Sequence, residues 1–149
     1  IMFSDVEITV AAAKELLKKA PEFDVLITAE SKGIPLAYEM SKQSGKKYIL
    51  ARKSVKLYMR EPVEVDVKSI TTTNIQKLYL DNADMQYLKG KRVLIVDDVI
   101  STGESINALA QLTEKAGGNI VGKCAVLAEG DAADRQDIFF LEKLPLFFK

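Results

Sequence analysis

The sequence predicts a single α/β domain with a mostly parallel central sheet, helices on both faces and a protruding flexible β-hairpin. Short apolar runs such as residues 93–96 alternate with longer segments of helical period, which is typical of a parallel sheet covered by helices. Residues 62–68 and 75–80 instead alternate apolar and polar side chains, which indicates two half-exposed strands of a hairpin. The 149 residues, 48% of them hydrophobic, suffice for one core.

The elements can be placed in order from periodicity and from helix start and stop signals. A first helix is expected from residue 4 or 5 to about residue 20, where Pro21 ends it. Pro35 suits the first turn of a second helix, and Gly117 suits the end of a later one. The first helix should bury a stripe made of Val6, Val10, Ala13, Leu16, Leu17 and Ala20. Strands are expected at 24–29, 47–51, 62–68, 75–80, 93–96, 120–128 and 138–141, and helices at 35–44, 84–88 and 104–116.

Composition excludes several classes of function. Lys plus Arg equals Asp plus Glu at 21 each, so no basic excess favours nucleic acid. The sequence contains no histidine, which excludes Ser-His-Asp triads and histidine-bound zinc sites. It contains neither a signal peptide nor an apolar run near the roughly 20 residues that span a bilayer. With its lone Cys124 in an apolar run, the protein is expected to be cytoplasmic, with no membrane partner.

Residues 93–105 carry the strongest chemical signal. A buried strand is followed by Asp97 and Asp98, then by a small polar loop at 101–103, then by a helix. Ligands bind beyond the carboxyl ends of such strands, and a helix N-terminus suits a phosphate. Carboxylates suit sugar hydroxyls or magnesium, so a phosphorylated sugar is indicated. A capping box of Ser101 and Glu104 is the plain alternative, but it leaves two costly charges at the end of a buried strand unexplained.

Two further segments suit an anion. Residues 30–33 form a second strand–loop–helix junction, for which an anion site and an ordinary loop are equally compatible with the spacing. Between Glu39 and Glu61 the chain has seven basic residues and no acidic one, and a solvated face is the usual fate of such a run. Arg52 and Lys53, however, directly follow a strand, on the side where ligands bind. The seven are Lys42, Lys46, Lys47, Arg52, Lys53, Lys56 and Arg60.

Residues 93–105 resemble the phosphoribosyl-pyrophosphate motif of the type I phosphoribosyltransferases, a hydrophobic strand followed by Asp-Asp-x-x-x-Thr-Gly-x-Thr/Ser. Residues 29–35 resemble the pyrophosphate loop of adenine phosphoribosyltransferases, with Lys32 in place of the usual arginine. Residues 52–57 resemble the Arg-Lys-x-x-Lys-Leu segment of the same family. The resemblance covers nearly the whole chain and implies the type I phosphoribosyltransferase fold.

The resemblance also implies an activity and a set of roles. The activity would be transfer of the 5-phosphoribosyl group from 5-phosphoribosyl 1-pyrophosphate to a purine, adenine first, by a homodimer using Mg²⁺. Asp97 and Asp98 would hold the ribose hydroxyls and, through water, the metal, and these two residues with Lys53 would be the catalytic set. The backbone from Ser101 to Ser105, with the hydroxyls of Thr102 and Ser105, would hold the 5′-phosphate, and Lys32, Arg52 and Lys53 would meet the pyrophosphate. The other expected substrate-binding residues are Glu30, Ser31, Gly33, Lys56, Val99, Ile100, Gly103 and Glu104.

The hairpin at about residues 57–82 would be the family's closing loop, although an arm used in dimer contact is the alternative. Thr73 stands where adenine phosphoribosyltransferases carry a glutamate in this loop. The chain begins at Ile1, and the family's N-terminal hood, which carries part of the base selectivity, is expected to be missing. Two alternatives therefore stay open: a xanthine or hypoxanthine enzyme, and a non-catalytic regulator that senses the ribose donor or a nucleotide.

Overall fold

The computed structural model describes residues 6–30, 33–53, 63–68, 75–100, 104–129 and 139–144. Within these ranges, side chains are not described for residues 63–68, 75–76, 98–100, 104–105, 127–129 and 139–144. The helices are α1 (Val6–Lys19), α2 (Ile34–Ser44), α3 (Asn82–Leu88) and α4 (Glu104–Lys115). The strands are β1 (Val25–Ala29), β2 (Lys47–Ala51), β3 (Val63–Lys68), β4 (Ile75–Leu80), β5 (Arg92–Ile100), β6 (Asn119–Glu129) and β7 (Phe139–Leu144).

Five of the strands form one sheet in the order β2-β1-β5-β6-β7, and every neighbouring pair is parallel. The strands β3 and β4 form a separate antiparallel pair, in which Val63 pairs with Leu80 and Lys68 with Ile75. Parallel neighbours need crossover connections, and here helices supply most of them. The predicted parallel sheet and the predicted hairpin are therefore both confirmed.

Side chains of the central strand alternate between two hydrophobic cores, one on each face of the sheet. Val93 and Ile95 belong to the core that contains α3 and α4. Leu94 and Val96 belong to the core that contains α1 and α2. All four are fully buried. This alternation follows from the period of two along a strand, and it confirms helices on both faces.

The predicted stripe of α1 is wrong in its first half. Val6 is 75% and Val10 39% exposed, whereas Thr9, Ala12, Ala13 and Leu16 are buried. The buried positions follow the spacing i, i+3, i+4, i+7, which is one helical face. Small Ala12 and Ala13 share a core with Ala37 of α2, and close helix approach favours small residues over the larger valines. The packing partner therefore selects a face that hydrophobicity alone does not identify.

Two more expectations need correction. The central strand does not stop at residue 96 but runs through Asp97 to Ile100, because β6 pairs with it over this length, for example Val99 with Leu127. The two strands of the hairpin were predicted to be half-exposed, and the fully and nearly fully buried Leu80 and Leu78 of β4 show that this hairpin contributes to the core that contains α3 and α4.

The signals for helix ends are confirmed. Pro35 lies in the first turn of α2. Gly117, just after α4, has a φ of 82°, a left-handed conformation that glycine adopts without strain.

At the N-terminal ends of β1 and β5, Arg92 pairs with carboxylates that precede β1. The carboxylate of Asp24 accepts hydrogen bonds from the backbone N–H of Arg92 at 2.8 Å and from its side-chain Nε and Nη2 at 3.1 and 2.9 Å. Glu22 adds an ion pair to Nη1 of the same arginine at 3.6 Å. These contacts lie at the N-terminal ends of β1 and β5, far along the strands from their carboxyl ends.

Candidate functional site

The carboxyl ends of β1, β2 and β5 meet at one edge of the sheet, where ligands bind in open α/β folds. Ala29 of β1 pairs with Ala51 of β2, so Glu30 and Arg52 follow at the same level. Ile27 of β1 pairs with Ile95 of β5, which places Asp97 two positions further toward the same edge. Glu30, Arg52 and Asp97 therefore lie at the same edge of the sheet.

Glu30 contacts both basic residues at the end of β2. Its backbone N–H donates to the carbonyl of Ala51 at 3.0 Å. Its Oε1 accepts a hydrogen bond from the backbone N–H of Lys53 at 2.8 Å, and its Oε2 lies 3.5 Å from Nη1 of Arg52. The side chains of Glu30 and Arg52 are only 22% and 31% exposed. The carboxylate of Glu30 therefore contacts the guanidinium of Arg52 and the backbone amide of Lys53.

The hairpin is attached to this edge through Arg52. The backbone N–H of Arg52 donates to the carbonyl of Tyr79 at 2.9 Å, and the N–H of Tyr79 donates back to the carbonyl of Arg52 at 2.8 Å. This is an antiparallel bridge between the end of β2 and the last residues of β4. The stem of the hairpin and the basic segment are consequently one hydrogen-bonded unit.

Gly33 allows the loop after β1 to lie directly on the sheet. It precedes the first residue of α2, and a Cβ at this position would collide with Oγ1 of Thr28 and lie 3.6 Å from Cα of Asp97. A side chain at residue 33 would therefore require Thr28 or the start of α2 to shift. Glycine at this position allows the residue before α2 to pack directly on Thr28 of β1.

Thr28 lies beneath this contact with an unusual environment. It is fully buried, and its hydroxyl has no hydrogen-bond partner among the described residues. Most buried hydroxyls in proteins are paired, because an unpaired one costs about 1–3 kcal/mol. The only sequence signal for it is a polar residue within an otherwise apolar strand.

The half-buried Asp97 has an electrostatic effect on its neighbour in β6. Burial, and then the charge of Asp97, raise the pKa of the Cys124 thiol far above its usual value. A thiol that stays protonated is neither a nucleophile nor a metal ligand. Cys124 is therefore a core residue, as the sequence suggested.

The structure brings together Glu30, Gly33, Arg52, Lys53 and Asp97. Asp98, Val99 and Ile100 are positions of β5, and Glu104 and Ser105 are the first residues of α4. The predicted capping box of Ser101 and Glu104 depends on Ser101, which lies outside the described residues. The remaining predicted site residues lie outside the described part of the chain: Ser31, Lys32, Lys56, Ser101, Thr102 and Gly103, and with them Thr73.

Sequence reasoning missed Thr28 and Tyr79. Tyr79 takes part through its backbone, so its residue type carries no signal.

Metal-ligand clusters and membrane-spanning helices were sought among the described residues. Their side chains include no group of three or more acidic, cysteine or histidine residues that could hold a metal ion. Their helices include none with the length and apolarity needed to cross a bilayer.

Known proteins similar to this chain include two phosphoribosyltransferases and a transcriptional repressor. A hypoxanthine/guanine phosphoribosyltransferase of Methanococcus voltae is 36% identical over 124 residues, 83% of this chain and 63% of that protein. An adenine phosphoribosyltransferase of Cenarchaeum symbiosum is 37% identical over 113 residues, 74% of this chain and 64% of that protein. The purine biosynthesis transcriptional repressor PurR of Bacillus subtilis is 31% identical over 115 residues, 77% of this chain and 39% of that protein.

The chain thus spans less than two thirds of the length of these curated relatives. In fold, it is similar to the crystal structure of adenine phosphoribosyltransferase from Thermoanaerobacter pseudethanolicus, with a TM-score of 0.81, 24% identity, and coverage of 95% of this chain and 83% of the other. The family model described as the phosphoribosyl transferase domain matches residues 5–144. On its sequence motifs, its sheet and this match, the chain belongs to the phosphoribosyl transferase domain family.

Proposed function

We propose that this chain is the catalytic domain of a purine phosphoribosyltransferase. It would transfer the 5-phosphoribosyl group from 5-phosphoribosyl 1-pyrophosphate to a purine nitrogen and release pyrophosphate. The observation that carries the proposal is the meeting of Arg52, Lys53, Gly33 and Asp97 at one sheet edge. Cations and helix-terminal amides suit a pyrophosphate, and a carboxylate suits ribose hydroxyls. Relatives named for adenine and for hypoxanthine and guanine support a purine as the acceptor.

The chemistry required of these residues is positioning and charge stabilisation. Loss of pyrophosphate leaves a sugar with oxocarbenium character, as in glycoside cleavage. Arg52 and Lys53, with the amides at the start of α2, would stabilise the negative charge that develops on the leaving group. Asp97 would accept hydrogen bonds from the ribose and orient it toward the base. The absence of histidine from the sequence is compatible with this division of roles.

Magnesium would fit Asp97 and Asp98 as an ion that arrives with the substrate. Mg²⁺ commonly takes one or two carboxylates and fills its other positions with water and phosphate oxygens. The described side chains contain no three-residue ligand cluster, so an all-protein cage is not formed within them. Asp97 and Asp98 would hold the ion through water, and the ion would supply positive charge to the leaving group.

For the acceptor, we propose adenine first. The segments at 29–35 and 52–57 resemble adenine phosphoribosyltransferases, whereas Thr73 departs from them and the relatives divide between adenine and hypoxanthine/guanine enzymes. Pyrophosphate release should be measured with 5-phosphoribosyl 1-pyrophosphate, Mg²⁺ and each of adenine, hypoxanthine, guanine and xanthine. The highest kcat/KM with adenine would support the proposal. A higher kcat/KM with another base would make that base the proposed acceptor.

The roles of Asp97 and Asp98 can be tested by a double variant in which both carboxylates become amides. The double variant Asp97→Asn, Asp98→Asn should lose binding of 5-phosphoribosyl 1-pyrophosphate in calorimetry, because amides cannot replace two negative charges toward ribose and metal. Its circular dichroism should match that of the unaltered chain. Normal donor binding by the double variant would show that the two carboxylates have another role.

A regulator that senses the ribose donor is the second candidate, and the similarity to the repressor PurR favours it. Both candidates share donor binding and differ in turnover. Calorimetry with 5-phosphoribosyl 1-pyrophosphate and Mg²⁺ should therefore precede the release assay. Tight binding without pyrophosphate release on any of the four bases would favour the regulator over the enzyme.

A further inference from the structure

Two segments of the site edge, the loop after β1 and the end of β2, are joined by one residue, Glu30. It follows β1, and its backbone and side chain reach three successive residues at the end of β2: Ala51, Arg52 and Lys53. The carboxylate itself makes two of these contacts, with residues 22 and 23 positions further along the chain, whereas a carboxylate that is only a solvated charge makes none. The arrangement indicates a residue that determines where the basic segment lies.

The contacts of Glu30 offset the repulsion that its negative charge would exert on a pyrophosphate. A carboxylate next to a pyrophosphate site repels the ligand unless it is paired. Here Oε2 lies 3.5 Å from Nη1 of Arg52, and Oε1 accepts the N–H of Lys53 at 2.8 Å. Arginine carries five N–H donors in a planar fork, so a contact through one nitrogen is compatible with a second anion on the same guanidinium. Glu30 can therefore orient Arg52 without using up its capacity to bind a phosphate.

Arg52 extends the connection to the hairpin. Its own N–H and carbonyl are both bonded to Tyr79, so a shift of Arg52 moves the last residues of β4. Glu30 holds the side chain of Arg52 from the side of β1, while Tyr79 holds its backbone from the side of the hairpin. The anion loop, the basic segment and the hairpin stem are thus linked through two residues.

We propose that Glu30 is a positioning residue that fixes Arg52 and Lys53 for the pyrophosphate and couples the stem of the hairpin to that ligand. The ligand in this statement rests on the proposed function. The coupling itself is a property of the ligand-free chain. Glu30 acts through Arg52 and Lys53, and its predicted role as a direct substrate ligand is replaced in this proposal by a role in their orientation.

The test uses Glu30→Ala and Glu30→Gln, with Glu22→Gln as the control. Glu22 is also paired with an arginine, Arg92 at 3.6 Å, but at the other end of the strands. Amide hydrogen exchange of Lys53 and Tyr79 in the ligand-free chain reports the coupling. Calorimetry with magnesium pyrophosphate and with a purine nucleoside monophosphate reports the ligand. Thermal unfolding confirms that each variant is folded, and Glu30→Gln retains an acceptor for the N–H of Lys53.

For Glu30→Ala we expect exchange at Lys53 and Tyr79 to accelerate, and the Kd for magnesium pyrophosphate to rise about tenfold or more, since a charge-assisted contact and an amide hydrogen bond are both lost. Glu30→Gln should raise the Kd with a smaller change in exchange. Affinity for the monophosphate should stay within about twofold, which a general loss of structure would not allow, and Glu22→Gln should change neither. Unchanged exchange and unchanged pyrophosphate affinity in both Glu30 variants would overturn the positioning role. A wild-type chain that binds no pyrophosphate would instead overturn the proposed function.

Discussion

Thr28 and Thr113 are both fully buried, but their hydroxyls differ in pairing. Oγ1 of Thr113 donates to the carbonyl of Leu109 at 2.9 Å, whereas Oγ1 of Thr28 has no partner among the described residues. Thr28→Val replaces the unpaired hydroxyl by a methyl group of nearly the same size. An unpaired buried hydroxyl costs about 1–3 kcal/mol, so the variant should be more stable by about 1 kcal/mol or more.

Thr113→Val removes a hydrogen bond that is made, and it should be less stable by about 0.5–1.5 kcal/mol. For a chain of this length, about 1 kcal/mol corresponds to about 2–4 °C in Tm. The two variants should therefore move Tm in opposite directions. Urea unfolding followed by circular dichroism gives both free energies, and equal m-values would show that the unfolded states are comparable.

Comparing the two variants tests the pairing of the Thr28 hydroxyl without any ligand. If Thr28→Val lowers the free energy of unfolding as much as Thr113→Val does, the hydroxyl of Thr28 has a partner in the native chain, and the unpaired site beneath Gly33 does not exist. A change near zero for Thr28→Val would mean that the cost of the unpaired hydroxyl is offset by poorer packing of the methyl group.

Three further outcomes follow from the described contacts. Gly33→Ala should lower stability by about 1–3 kcal/mol and weaken magnesium pyrophosphate binding, because its Cβ collides with Thr28; equal Tm and Kd in the variant would contradict the close approach. Hydrogen bonds from the Arg92 side chain, and then from its backbone, hold the pKa of Asp24 well below its usual range, so its contribution is present above the unfolded pKa and lost as the pH falls. Asp24→Asn should therefore unfold at a lower urea concentration at pH 7, with a difference that shrinks in acid. Burial raises the pKa of Asp84, so the stability contributed by its protonated form is lost as the pH rises through that pKa. Asp84→Asn should therefore gain stability at pH 7 but not at an acidic pH where Asp84 is protonated in both the folded and the unfolded state. Urea titrations at pH 7 and at the acidic pH would show this difference.

The parts of the fold that the sequence predicted well are those decided by local pattern. The run at 93–96 is apolar on both faces, and only a strand covered by helices on both sides uses such a run. The strand at 47–51 and the end of α4 near Gly117 depend likewise on neighbouring residues alone. These features need no knowledge of what packs against them.

The corrected parts depend on partners far along the chain. Val6 and Val10 are as hydrophobic as core residues, but the small face of Ala12 and Ala13 packs in their place. Alternation in β4 indicated one covered face, yet it could not show that Leu78 and Leu80 join the core that contains α3 and α4. Asp97 and Asp98 read as the start of a loop because charge is costly in a buried strand, and pairing with β6 extended the strand past them.

The candidate site divides in the same way. The sequence predicted an anion loop, a basic segment and an acidic pair, since each directly follows a short apolar run. The contacts of Glu30 with Lys53 and Arg52 cross more than 20 positions of sequence, and nothing local distinguishes a carboxylate that binds a substrate from one that orients a cation. The packing of Gly33 on Thr28 is likewise a property of two strands and a helix together.

The strand order has a consequence for how the two halves of the site tolerate change. Asp97 lies on β5, which is hydrogen-bonded to a strand on each side, whereas Arg52 and Lys53 follow β2, the terminal strand of the five-stranded sheet. Opening β5 breaks two ladders, so its amides should exchange only with global unfolding, while β2 can open separately at lower free energy. Under the proposed function, substitutions that loosen β2 would therefore change the affinity for pyrophosphate and leave the position of Asp97 on the interior strand unchanged.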